Sequence, residues 1–175
     1  VTIILLHRGE MPYSGIKRWL QKIADKSVDA YLFTAAGFGA SWTKGGNIAS
    51  LNKIHEVIQA SSVFYPQDRS VARTYLAVDG SPVFLWVGRL DANKDPLTVV
   101  KAFIQFAALE PGATLFMIYQ SEALLADIKK LLAFDAKASS SVKLVGKVAH
   151  PELQNWFNAA DFFISGSHHE GSGIG

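Results

Sequence analysis

At 175 residues the chain has room for one ordinary domain or two small ones, and with 49% of it apolar, wholesale disorder is excluded. The net charge is +2 and no basic cluster is longer than a pair such as Lys129-Lys130, so nucleic-acid binding has no electrostatic footprint. Cysteine is absent, which excludes disulfides, thiol catalysis and cysteine metal sites and fits a reducing, cytoplasmic setting.

Taken in order, the chain opens on a strand over 2–6, with no initiator Met before Val1. Residues 15–26 follow as a helix with one apolar face, Ile16, Trp19, Leu20 and Ile23. A strand over 30–34 leads into a glycine-rich stretch, 35–53, that mixes loop with a short helix. Residues 61–82 break the rhythm: turn residues surround a short aromatic strand at Val63-Phe64-Tyr65, and Asp79-Gly80-Ser81-Pro82 forms a turn. A domain boundary is expected near residue 80, giving domains 1–80 and 81–175. Strands at 83–87, 114–119, 142–145 and 161–165 then alternate with helices at 96–109, 121–133 and 150–160. Asp95 is the expected N-cap of the first of these, with Pro96 at its first position. The strands are continuous apolar runs, as expected where helices cover both faces of a parallel sheet. The predicted class is α/β, with two doubly wound parallel-sheet domains. No apolar run reaches the length of a membrane span, and no signal peptide is legible. The chain ends within a glycine-rich loop, so both ends read as cuts through a longer protein. Strand edges left open by such cuts would favour self-association.

Two loops carry the candidate chemistry. The first is Gly88-Arg89-Leu90-Asp91-Ala92-Asn93-Lys94-Asp95-Pro96, where a buried strand ends and a helix begins. Ligands of open parallel sheets bind beyond the carboxyl ends of strands. Arg89 and Lys94 there, beside a helix N-terminus, suit a diphosphate. The competing reading is a solvated loop in which Arg89 pairs with Asp91 or Asp95. The second loop is Ser165-Gly166-Ser167-His168-His169-Glu170-Gly171-Ser172-Gly173-Ile174-Gly175. Its glycines allow main-chain N–H groups to approach an anion or a sugar hydroxyl, and Glu170 can accept from hydroxyls. Competing readings are a polar surface loop, or a metal held by His168, His169 and Glu170, which would need a turn to bring adjacent histidines together. His7, at the end of the first strand, is placed to touch a ligand, whereas His55 and His150 read as structural.

Three stretches together carry a resemblance. Phe84 to Pro96, then Val142-Lys143-Leu144-Val145-Gly146-Lys147-Val148 with Glu152-Leu153 and Ala159-Ala160-Asp161, then Ser167 to Gly173, resemble in order the motifs of the family-four retaining glycosyltransferases of GT-B fold. The match covers about 80–175 well and is weaker over 1–79, where Leu6-His7 and Asp29 to Phe33 are similar to N-terminal-domain strands of that family. The resemblance implies two Rossmann-like domains and transfer of a sugar from a nucleotide-diphosphate donor to a sugar, lipid-linked or other acceptor, with retention of configuration. It implies that Arg89 and Lys94 bind the donor diphosphate beside Gly88. Glu170 would contact the donor sugar, and Gly171, Ser172 and Gly173 would shape its pocket. Lys147 and Val148 would contact the nucleobase, and His7 would reach the transferring sugar. It implies no metal and no cofactor, cationic side chains taking that electrostatic role, and leaves peripheral membrane association open for the whole protein.

The sequence departs from the family at three points. The motif's second glutamate, eight residues after Glu170, falls beyond Gly175. Ile118-Tyr119-Gln120-Ser121 replaces a Gly-x-Gly turn, and no Asn-Gly turn occurs around Tyr65-Pro66-Gln67-Asp68. The alternatives to a transferase are a non-catalytic sugar-nucleotide-binding fragment and a GT-B-type sugar-nucleotide epimerase. A nicotinamide enzyme is disfavoured because no Gly-x-Gly-x-x-Gly follows the first strand.

Overall fold

The computed structural model describes residues 1–7, 11–58, 62–134 and 136–170. They form two compact units, Val1–Ser62 with Glu170, and Val63–His169.

In the first unit, β1 (Ile4–Leu6), β2 (Ala30–Phe33) and β3 (Ile54–Glu56) form a parallel sheet in that order. Helix α1 (Gly15–Asp25) joins β1 to β2, and α2 (Ala36–Lys44) follows β2. Side chains alternate across a strand, so Tyr31 and Phe33 share a face and pack with Val28, Trp42 and Ile48 into one core. The apolar face of α1 lies outward, contrary to what its spacing suggests: Ile16, Trp19, Leu20 and Ile23 are 75%, 60%, 54% and 48% exposed. The inward face holds Gln21 and Asp25. Gln21 Nε2 donates to the Tyr31 hydroxyl at 3.1 Å, and an Asp25 carboxylate oxygen accepts from Ala49 N–H at 3.0 Å. Lys53 pairs with Asp25 at 3.4 Å. Burial, reinforced by the Asp25 carboxylate, pushes the Tyr31 phenol well above its usual range. Strand β3 escapes a hydrophobic reading because two of its three residues, His55 and Glu56, are polar.

The second unit begins with α3 (Arg69–Leu76), followed by β4 (Val83–Gly88), α4 (Pro96–Leu109), β5 (Thr114–Tyr119), α5 (Leu125–Ala133), α6 (Ala136–Ser141), β6 (Val142–Gly146), α7 (Leu153–Ala159) and β7 (Phe162–Phe163). All four strands are parallel, in the order β6-β5-β4-β7. Strand alternation sends Trp86, Leu115 and Met117 to one face, where they meet Val99, Val100 and Phe103 of α4 and Ile128 and Leu132 of α5. Val83, Leu85, Phe116 and Ile118 face the other way, onto Leu153 and Trp156 of α7. Helices therefore cover both faces, and the α/β, doubly wound expectation holds for this unit. The strand expected over 161–165 shortens to two residues.

Residues 62–68 form no strand, although an aromatic strand was expected there. Phe64 instead packs on the rings of His150 and Phe157, with centroids 5.2 and 5.1 Å away. Two amides of α7 take the place of a neighbouring strand. Gln154 Oε1 accepts from Tyr65 N–H at 3.0 Å while Gln154 Nε2 donates to the Tyr65 carbonyl. Asn158 Oδ1 accepts from Gln67 N–H at 2.6 Å, and its Nδ2 donates to the Tyr65 carbonyl at 3.1 Å. Gln154 is buried, so Gln154→Ala strands the Tyr65 N–H and leaves the Tyr65 carbonyl to Asn158 alone, and it is expected to lower stability by about 1–3 kcal/mol. Urea unfolding followed by tryptophan fluorescence measures this. No helix among the described residues is long and apolar enough to cross a membrane.

Candidate functional site

The topology of the second unit selects one place for a ligand. From β4 the chain moves outward through β5 to β6, then returns to lay β7 on the opposite side of β4. The winding direction therefore reverses between β4 and β7. Loops leaving the carboxyl ends of strands diverge at such a point and open a crevice. The loops leaving β4 and β7 are the two picked out by sequence.

The β4 loop is organised around Asp91. One Asp91 carboxylate oxygen pairs with Arg89 Nε at 3.1 Å, and the other accepts from Lys94 N–H at 3.1 Å. Arg89 is 65% exposed, so this pair contributes little stability. A guanidinium has five donors, so engaging Nε leaves capacity to fork onto a phosphate. Asp95 caps α4 as expected, accepting from Thr98 N–H at 3.3 Å, from a left-handed backbone with φ +39°. The Thr98 hydroxyl, then its N–H, holds the Asp95 carboxyl below its usual range. Of the two partners foreseen for Arg89, Asp91 takes the role, whereas Asp95 meets His168 Nε2 at 3.4 Å.

The β7 loop lies directly against this one. Ile164 N–H donates to the Leu85 carbonyl at 2.9 Å, extending the register of β7 on β4. At Gly166 the approach is so close that a methyl group would lie 2.8 Å from Val99 Cγ2 and 3.1 Å from the Asp95 carbonyl oxygen. His168 N–H donates to the Asn93 carbonyl at 2.8 Å, and Asn93 Nδ2 donates to the His169 carbonyl at 3.0 Å. Gly166→Ala must therefore push the loops apart. It is expected to cost about 1–3 kcal/mol, the range for overpacking, measured as a fall in the urea midpoint.

Among the candidate residues, Gly88, Arg89 and Lys94 lie at the end of β4 and in its loop, and Glu170 follows His169, whose carbonyl is bonded to that loop. Lys147 and Val148 follow β6 at the same carboxyl edge of the sheet, beyond a turn at Gly146 with φ +84°. Lys147 is exposed, and Val148 packs on the Val83–Phe116 cluster. His7 belongs to the first unit. It is buried at the end of β1, its ring stacked on Phe33 at 4.9 Å and tilted against Trp42 at 4.2 Å. Gly171, Ser172 and Gly173 lie outside the described residues. Among the described residues no group of three His, Asp or Glu side chains is arranged to hold a metal ion. The residue that sequence reasoning passed over is Asn93. An asparagine between two cations gives no signal of its own, and its two partners lie more than seventy positions away along the chain.

Solved structures share this fold. HepE of Anabaena, solved in complex with UDP, superposes with a TM-score of 0.76 at 15% identity over 95% of this chain and 47% of that one. The pneumococcal O-GlcNAc transferase GtfA, in complex with UDP and GlcNAc, gives 0.72 at 16% over 97% of this chain and 34% of that one. The sucrose-phosphate synthase of Thermosynechococcus elongatus gives 0.69 at 21%, over 91% and 40% respectively. At these identities the likeness shows the fold, the α/β architecture of GT-B glycosyltransferases. The chain spans 34–47% of the length of these three proteins. No curated protein sequence matches it. Residues 69–175 match the family described as glycosyl transferases group 1. With that match covering more than half of its length, the chain belongs to the glycosyl transferases group 1 family.

Proposed function

We propose that the second unit binds the nucleoside-diphosphate end of a sugar donor, and that the protein transfers the sugar to an acceptor with retention of configuration. The observation that carries this reading is the joining of the β4 and β7 loops at the point where the strand order reverses. As the bond between the anomeric carbon and the diphosphate oxygen breaks, negative charge grows on the diphosphate and positive charge on the sugar ring. Arg89 and Lys94 stabilise the first of these from beside the N-terminus of α4. Glu170 accepts from hydroxyls of the donor sugar, in a pocket shaped by Gly171, Ser172 and Gly173. The chain at Lys147 and Val148 faces the nucleobase, and His7 serves the transferring sugar from the first unit. The acceptor is a sugar, a lipid-linked sugar or another hydroxyl compound. UDP in HepE and GtfA supports a uridine donor as the first to test.

Two substitutions test the assignment. Arg89→Ala with Lys94→Ala removes two charged hydrogen-bond donors, each contributing about 1.5–3 kcal/mol. UDP affinity measured by calorimetry is then expected to fall at least about a hundredfold. An unchanged affinity would remove the diphosphate from this loop. Glu170→Gln is expected to cut sugar transfer by about a hundredfold while leaving the melting temperature unmoved, the size of effect seen for a group acting in the transition state. The opposite pattern, a large drop in melting temperature with normal transfer, would make Glu170 a structural residue.

A further inference from the structure

We infer that Asn93 is a positioning residue for transfer: it ties the chain entering Glu170 to the loop that carries Arg89 and Lys94. The inference rests on the reading of the site given above and adds to it a residue that acts through the loops it joins. Asn93 is half-buried and bonds the β7 loop twice, through its carbonyl to His168 N–H at 2.8 Å and through Nδ2 to the His169 carbonyl at 3.0 Å. The amide orientation follows from chemistry, since the opposite one would set two carbonyl-type oxygens against each other. The nearby His168–Asp95 contact is long, and His168 is 68% exposed, so it is the weaker tether. Close packing at Gly166 seats the same loop against Lys94, Asp95 and Val99.

A nucleoside diphosphate needs only the first loop. Breaking the bond between sugar and diphosphate needs both loops, because Glu170 acts on one side of that bond and Arg89 and Lys94 on the other. Groups that act together in a transition state must be held to within about 0.5 Å. Loss of the Asn93 side-chain bond is therefore read in turnover rather than in nucleotide affinity. The main-chain bond from residue 93 survives any substitution, so the side-chain donor can be removed alone.

The test compares Asn93→Ala, Asn93→Asp and Asn93→Gln in the protein. Aspartate keeps the shape and loses the donor, whereas glutamine keeps the donor on a longer arm. Ala and Asp are expected to lower kcat for transfer from UDP-glucose tenfold or more, with melting temperature held in both and UDP affinity held in Ala, since an aspartate beside Arg89 and Lys94 weakens diphosphate binding by its charge alone. Amide hydrogen exchange at His168 is expected to speed up about tenfold in both, and Gln to recover part of both losses. Wild-type turnover and wild-type exchange in Asn93→Asp would overturn the inference. So would parallel losses of UDP affinity, turnover and melting temperature, which would mark Asn93 as a structural residue only. If the wild-type protein binds neither UDP nor UDP-glucose, the donor reading fails and positioning for transfer falls with it. Faster exchange in Asn93→Asp would then report a tie of structure alone, which separates the two failures.

Discussion

Asp161→Ala is expected to destabilise the second unit by about 2–4 kcal/mol, between the values for breaking a surface ion pair and a buried one. Asp161 sits just before β7 and holds three elements together. One carboxylate oxygen accepts from Val83 N–H at 2.7 Å, at the start of β4, and from an Arg73 guanidinium nitrogen of α3, also at 2.7 Å. The other accepts from Arg69 of α3 at 2.6 Å. Arg73 also donates through Nε to the Ala159 carbonyl at the end of α7, at 2.9 Å. The Arg73 and Asp161 side chains are 24% and 17% exposed, so removing the carboxylate leaves a partly buried cation without its counter-ion and the Val83 N–H without that acceptor. Arg69 is 57% exposed and contributes little. Burial opposes ionisation of Asp161. The Val83 N–H and the Arg73 and Arg69 charges outweigh it, and the carboxyl titrates below its usual range. A carboxyl depressed in the folded state contributes stability that is present above its unfolded value, near 3.9 for aspartate, and lost as pH falls through the folded value. The wild-type chain should therefore lose stability steeply below about pH 4, and Asp161→Asn should be weaker at neutral pH with a shallower acid limb. Urea unfolding at pH 7 and pH 3 measures both. A loss below about 1 kcal/mol at pH 7 would reduce the cluster to a surface ion pair.

That cluster also accounts for what the sequence concealed. The buried strands β4 and β5 were legible because they are apolar runs covered on both faces. Asp95 and Pro96 announced the start of α4 through local cap chemistry, which involves only neighbours. Helix α3 was not legible, for it is short and bears Arg69, Arg73 and Thr74. Its place is set by Asp161, about ninety residues on, and by the α7 amides that hold residues 65–67. The same distance hid Asn93. Arg89 and Lys94 could be chosen from their types and spacing, because charge beside a strand end suits an anion whatever the distant partners are. A side chain that acts by bonding a remote carbonyl leaves no such mark. In α1, periodicity identified the helix and misled about its direction: the face that turns inward is chosen by Tyr31, whose hydroxyl takes Gln21 as partner.

The outward apolar face of α1 leads to the last expected result, self-association of the 175-residue chain. Ile16, Trp19, Leu20 and Ile23 are all about half-exposed or more, and Met11 nearby is 64% exposed. In the same unit Ile4 and Leu6 of β1 remain exposed, and among the described strands β1 pairs only with β2. An apolar helix face and an open strand edge in one unit are two surface features that favour association. Fully burying a large apolar side chain contributes about 1.5–3 kcal/mol. Trp19→Gln with Ile23→Gln, already partly covered in the monomer, should thus weaken association by about 2 kcal/mol, or roughly thirtyfold. Glutamine suits a helix and adds no charge to a face flanked by Lys17, Arg18 and Lys22. The double variant should keep its circular dichroism, because these side chains point away from the Tyr31–Trp42 core. Sedimentation across a concentration series reads the shift. A wild-type chain that stays monomeric throughout would show that this face is covered from within the chain, and an equal tendency to associate in the double variant would move the contact to the edge of β1.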